Sequence, residues 1–347
     1  MKRFIMSAAL AAGLIPGIAA ADEATSPFSI TGSVGLRSQQ FSTFDYGSLR
    51  VGFPGTSYPE VAPYFDERGR KLGYNFSAGA DYNFGESTGI FDIDTISFLY
   101  TYQRADRRST ATESSAADAF YVPYIDAITR TTLVGDQNVG LFTDTNSLLD
   151  RSIKSHEFNI AVSSQTSGFG AEDTLTPHIF FAYQRLRQAD NVTTVGGTDP
   201  VTHDLDAKII SDIFKFGAEL DATIPICTDV SIVGGLGVSL NVSRNDYTGI
   251  HIFGGGSFNL PSEALAVADY TDTHISGEFN ATTGLAFDLT QNVVFSVMGN
   301  LLWMGGVPYV MYPQAVTGSG PVSGGPAHIA YNSQFNYGVD IGLRFDF

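Results

Sequence analysis

The chain predicts an all-β protein: a transmembrane antiparallel up-and-down β-barrel of ten strands, with short turns at one end and long loops at the other. Three observations carry this. Segments in which apolar and polar residues alternate recur along the whole sequence, and a period of two places successive side chains on opposite faces of a strand. The links between the segments alternate short and long. The composition, with 26 Phe, 16 Tyr and 37 Gly but only 16% charged residues, has no apolar run of helical membrane-span length after the N-terminus, and so points to strands carrying an apolar belt.

The first element is read as a cleaved signal at residues 1–21. Lys2 and Arg3 form its basic start, Phe4 to Ala20 its apolar stretch, and Ala19-Ala20-Ala21 its small-residue cleavage site. Pro16 and Gly17 break the apolar stretch, which disfavours the alternative of an uncleaved anchor. The barrel domain is then expected to occupy 22–347. Losing Lys2 and Arg3 takes the basic count from 19 to 17 against 36 acidic residues, and the net charge from −17 to about −19. No basic face is available for phosphate neutralisation, so nucleic acid is excluded as a partner.

The strands follow in order. Over 28–37, Phe28, Ile30, Val34 and Leu36 oppose Ser29, Thr31, Ser33 and Arg37. Over 71–85, Leu72, Tyr74, Phe76, Tyr82 and Phe84 oppose Lys71, Asn75, Ser77, Asp81 and Asn83. Segments 92–104, 153–166, 174–188 and 209–226 continue the pattern less cleanly; Phe180 sits on the polar parity of its segment. Segments 230–243, 274–289 and 293–303 carry it on. The last ends GVDIGLRFDF, with Phe347, Phe345, Leu343, Ile341, Val339, Tyr337 and Phe335 on one parity and Asp340 and Arg344 on the other.

The links after the second, fourth, sixth and eighth segments are short. Those after the odd-numbered segments, at about 47–70, 105–151, 190–208, 247–272 and 310–326, are long and rich in Pro, Gly, Ser, Thr and Asp. A bacterial single-chain barrel has an even strand number, short periplasmic turns and long extracellular loops, so both termini are expected in the periplasm. An extra hairpin within 47–70, giving twelve strands, is the alternative count. A short helix is considered at 117–129.

The alternating architecture, the signal and the terminal Phe347 resemble Gram-negative outer-membrane barrels. That resemblance implies location in the outer membrane, contact with its lipid, and an assembly signal at Leu343, Phe345 and Phe347 read by the barrel-assembly machinery. The stretch FKFGAELDATIPICTDVSIVGGLGVSLN, residues 214–241, is similar to a hairpin of the Legionella-type pore-forming outer-membrane protein family, departing from it at Glu219, Ala222 and Cys227. It covers under a tenth of the chain and implies pore formation.

If the apolar parity faces lipid, the polar parity lines the lumen: Arg37, Asp81, Glu157, His178, Lys215, Glu219, Asp221, Glu278, Asp288, Asp340 and Arg344. Lipid-facing Arg or Lys near the midplane costs about 2–4 kcal/mol, which is why these charges are placed inside. They either plug a narrow bore with ion pairs, with Lys215 set against Glu219 and Arg37 and Arg344 against Asp340 and Glu278, or line a small cation-preferring pore for solutes or ions. Tyr74, Tyr82, Phe84, Tyr100, Tyr102, Trp303, Tyr309, Tyr331, Tyr337 and Phe347 suit interfacial girdles.

Other chemistry finds less support. His203-Asp204 with Asp206, read as an outer loop, has the residue types of an outer-membrane protease, but Asp92 and Asp94 sit at the wrong end to complete it. His156 and His274 have nothing diagnostic beside them for lipid modification. The six His lack ligand spacing, so neither metal nor cofactor is expected. Gly234-Gly235-Leu236-Gly237 lies inside a strand, which rejects a nucleotide loop and suggests close approach of neighbours. Cys227 has no disulfide partner and is expected to be buried. Phe120, Tyr121 and Tyr124 suit either loop packing or a glycan. The chain is therefore expected to be a non-enzymatic pore or surface-interaction barrel.

Removal of Phe347 should lower the yield of folded barrel in the outer-membrane fraction several-fold, read by the heat-modifiable gel shift of barrels. An unchanged yield removes the terminal aromatic from the assembly signal.

Overall fold

A computed structural model describes residues 27–51, 60–88, 93–113, 119–121, 145–167, 173–196, 202–254, 263–311 and 328–347; the expected signal segment and Tyr124 fall outside them. Ten long strands run in chain order: β1 (Phe28–Val51), β2 (Glu60–Thr88), β3 (Ile93–Glu113), β4 (Thr145–Ser163), β5 (Thr174–Gly196), β6 (Thr202–Cys227), β7 (Val230–Gly254), β8 (Glu263–Thr290), β9 (Val293–Met311) and β10 (His328–Asp346). Each pairs antiparallel with the next, and β10 returns to β1 in an unbroken register from Ser29↔Asp346 to Ser38↔Tyr337. The sheet is thus a closed ten-stranded up-and-down barrel, as the alternation predicts.

The two-residue links Thr228-Asp229 and Gln291-Asn292 are the turns expected after the sixth and eighth strands. At the long-loop end the strands outrun the alternation. Among the described residues of 47–70 there is no extra hairpin: after a bulge between Phe41 and Phe44, β1 and β2 stay paired from Phe44↔Glu67 to Val51↔Glu60, so the count of long strands remains ten. The backbone gains a partner for each N–H and C=O by continuing the ladder, whatever the side chains. For the same reason His203, Asp204 and Asp206 stand in β6, not in a loop. Within 117–129, Ala119–Tyr121 is a three-residue strand on Ser48–Arg50 of β1 where a helix was considered. A second short strand, Thr166–Ser167, pairs with Leu175 and Thr174.

The barrel has an apolar outside and a polar inside. Phe216, Leu240 and Tyr337 are exposed, while their sequence neighbours Lys215, Asn241 and Asn336 are buried. Cys227, expected to be buried, is exposed, because it ends β6 at the turn rather than packing within the wall.

One irregularity redirects the wall. Gly305 and Gly306 of β9 oppose only Ser333, between Met304↔Gln334 and Val307↔Asn332. Gly306 has φ +65°, and a Cβ there would meet the His274 imidazole at 2.5 Å. The ladder between β8 and β9 stops at Glu278↔Met304. Beyond the bulge Val307 is buried in an apolar cluster with Phe41, Ala105, Ile153 and Leu186, contributed by β1, β3, β4 and β5. Across the bulge, Tyr331 of β10 stacks on His274 of β8 at 3.8 Å and donates to Asp272, so it ties strands together where a girdle position was expected.

Gly306→Ala should cost about 1–2 kcal/mol, the usual penalty for an L-residue in the left-handed region. A lowered denaturant midpoint, followed by fluorescence of the single tryptophan, Trp303, checks this; an unchanged midpoint means the bulge accommodates a methyl.

Candidate functional site

The bore is crossed at mid-height by an ionic bridge. Lys215 of β6 donates to Glu157 of β4 at 2.9 Å and to Glu278 of β8 at 2.8 Å. These carboxylates come from strands two positions to either side, so only the inward face can bring them together. The Lys215 side chain is 3% exposed. Its cross-strand neighbours are Ala182 and Asn241, and the small Ala182, itself fully buried, leaves room for the lysine to lie over β5. The expected partner Glu219 is instead held by Asn280 of β8 at 3.4 Å. Spacing along β6 favoured Glu219, but position 219 lies four residues along an extended strand from 215, about 13 Å away.

A second polar centre surrounds Asp340. It accepts from Asn75 of β2 and Asn300 of β9, both at 2.7 Å, and faces Arg37 at 4.0 Å. Asn75 and Asp340 flank β1 and meet over Gly35, where any Cβ would collide with both side chains. Glu219 and Asn280 likewise meet across β7 at Gly237, where a Cβ would collide with the Asn280 amide. This close approach is what the glycine run at 234–237 suggested. No single-sequence signal marks which asparagines take part, since Asn75, Asn280 and Asn300 occupy ordinary polar-parity positions.

Above this level, towards the long-loop end, buried side chains reach across the bore. Gln188 of β5 donates to the Pro308 carbonyl of β9 at 2.7 Å, and Arg151 of β4 to the Ser42 carbonyl of β1 at 2.8 Å. Arg151 also pairs with Asp190 at 2.8 Å and lies over the Phe41 and Phe44 rings. With the apolar cluster around Val307, these side chains join strands three and four positions apart in the ring. Arg151, Phe41, Ala105 and Val307 lie beyond the alternating segments 153–166, 28–37, 92–104 and 293–303, so the alternation does not mark them as inward.

Below the ionic bridge, towards the short turns, the inward face opens. Asp221 is 46% exposed and pairs with His178 at 3.1 Å; Leu99, also inward, is 40% exposed. Asp81 accepts from Ser29 at 3.1 Å. Phe180 projects inward over Gly217, whose missing Cβ makes its space. Arg344 stands apart from these groups: it is half exposed and pairs with Asp346 of its own strand at 2.7 Å. Asp204 lies near the long-loop end of β6, whereas Asp94 accepts the Gln165 N–H at the short-turn end, so these two acids stand apart; Asp92 lies outside the described residues.

No protein-family model and no curated protein matches the chain, so the Legionella-type resemblance gains no support from either. Among solved structures it is similar to the outer membrane protease OmpT from Escherichia coli, at 10% identity and a TM-score of 0.44 over 93% of this chain and 98% of that one. It is similar to a Pseudomonas aeruginosa FadL homologue at 9% identity and 0.30, covering 92% and 90%. It is also similar to the transport unit of the autotransporter AIDA-I from E. coli at 8% identity and 0.30, covering 99% and 97%. Likeness at this level concerns the barrel alone and carries over no residue and no activity.

Lys215→Met should destabilise the barrel by about 3–5 kcal/mol, because it strands two carboxylates in the bore. Adding Glu157→Gln and Glu278→Gln should recover most of the loss. Equal midpoints for the single and triple variants, in urea unfolding from detergent, exclude Lys215 as the neutralising partner.

Proposed function

We propose that the chain is a non-enzymatic outer-membrane barrel, sealed across its bore and acting through the part of its wall that stands above the membrane. The exposed apolar faces of all ten strands support the bilayer location, and the alternation of turns and loops supports periplasmic termini. The observation that carries the sealed reading is Lys215, 3% exposed and bound to carboxylates on β4 and β8. A bore occupied by a three-strand ion bridge, with an apolar cluster stacked above it, supports a bore closed to solutes at that height. Strands of 19 to 29 residues exceed the roughly 9–11 needed to cross, so the surplus forms a rigid extracellular collar suited to structural or surface-binding roles. Outer-membrane lipid and the barrel-assembly machinery are the partners this reading implies.

A second reading, a small cation-preferring pore for solutes or ions, is favoured by the exposed inward acids below the bridge, Asp221 foremost. Planar-bilayer recording decides between them. The refolded protein is expected to insert without reproducible conductance steps. Regular steps overturn the sealed reading, and in that event neutralising Glu219, Glu278 and Asp340 should reduce cation preference.

A further inference from the structure

The outward face carries a second feature that the sealed bore does not use. Arg104 of β3, Lys154 of β4 and Arg187 of β5 are direct cross-strand partners in one register row, Arg104↔Lys154↔Arg187. All three point outward, since Ala105, Ile153 and Leu186 beside them are in the buried interior cluster. Three like charges on adjacent strands, about 4.8 Å apart, repel one another, and an anion against the row relieves that repulsion.

The neighbouring acids are largely engaged elsewhere. Asp150 accepts from two nitrogens of Arg108, at 2.6 and 2.8 Å. Asp212 accepts from Tyr183 at 2.6 Å and faces Arg185. Asp106 binds Arg104 at 2.8 Å from one side. Lys154 and Arg187 make no ion pair or hydrogen bond with any described residue.

The row has a defined depth. One step towards the short turns lie Tyr102 and His156, in tilted ring contact at 4.9 Å, with Tyr100 bonded to His156 at 2.9 Å. Below them come exposed apolar residues such as Phe158 and Phe181. Apolar belt, aromatic girdle and cations thus succeed one another along the same three strands. That is the order in which acyl chains, the interface and headgroup phosphates succeed one another in a leaflet. Arg is suited to bidentate contact with phosphate oxygens, and Lys acts as a point charge beside it.

We propose that Arg104, Lys154 and Arg187 form a binding site on the outer wall for the phosphate groups of a phosphorylated glycolipid in the surrounding outer leaflet. The site rests on the outer-membrane reading above but is independent of whether the bore conducts. It gives the strongly acidic chain a local point of electrostatic attraction to an anionic lipid that the rest of its surface repels.

The test uses the full mature chain in neutral-lipid vesicles doped with bis-phosphorylated lipid A or its dephosphorylated counterpart, with bound lipid counted by native mass spectrometry. Wild type should retain the phosphorylated lipid at least tenfold more than the dephosphorylated one. The variant Lys154→Gln with Arg187→Gln should lose that preference while keeping the heat-modifiable shift of a folded barrel. Equal retention of the two lipids by wild type, or an undiminished preference in the double variant, overturns the site. Complete displacement by millimolar inorganic phosphate overturns the lipid assignment. Failure of the wild type to insert into vesicles instead overturns the membrane reading, and the site with it.

Discussion

When β10 pairs with β1, from Ser38↔Tyr337 to Ser29↔Asp346, the sheet loses both of its edges. Every backbone group in that ladder then has a partner within the wall, which is the condition for a β-structure to stand in hydrocarbon. Closure also creates an inside and an outside from what would otherwise be two equivalent faces. Phe216 and Lys215 are adjacent in sequence, yet one is exposed on the outer wall and the other is buried in the bore.

Once the bore is enclosed, its charges must neutralise one another. Lys215 answers Glu157 and Glu278, and Arg37 together with two asparagines answers Asp340. Glycines determine which partners are in reach. Gly35 lets β2 and β10 touch across β1, and Gly237 lets β6 and β8 touch across β7. The bulge at Gly305-Gly306 then delivers Val307 into the interior cluster, so the upper bore holds apolar as well as polar contacts.

The outer wall obeys the opposite rule. Its charges need not pair within the protein, because the surroundings can supply the counter-ion. Arg104, Lys154 and Arg187 in one row and the ion bridge inside the bore are therefore two answers to one problem, set by which solvent each face meets.

The alternation of apolar and polar residues determined the strand count, the short turns and the parity that faces inward, because the two-residue period of a strand is a property of the local chain. Arg37, Asp81, Glu157, Lys215, Glu219, Asp221, Glu278 and Asp340 were all legible as inward-parity residues on that ground. What only the tertiary structure decided is who meets whom. Lys215 bonds Glu157 and Glu278, 58 and 63 residues away, rather than the nearby Glu219, because barrel curvature converges side chains from strands two apart. The extension of the strands into the Pro- and Gly-rich links was equally hidden. It follows from backbone pairing with a neighbour already in place, and that pairing carries no signature in the side chains.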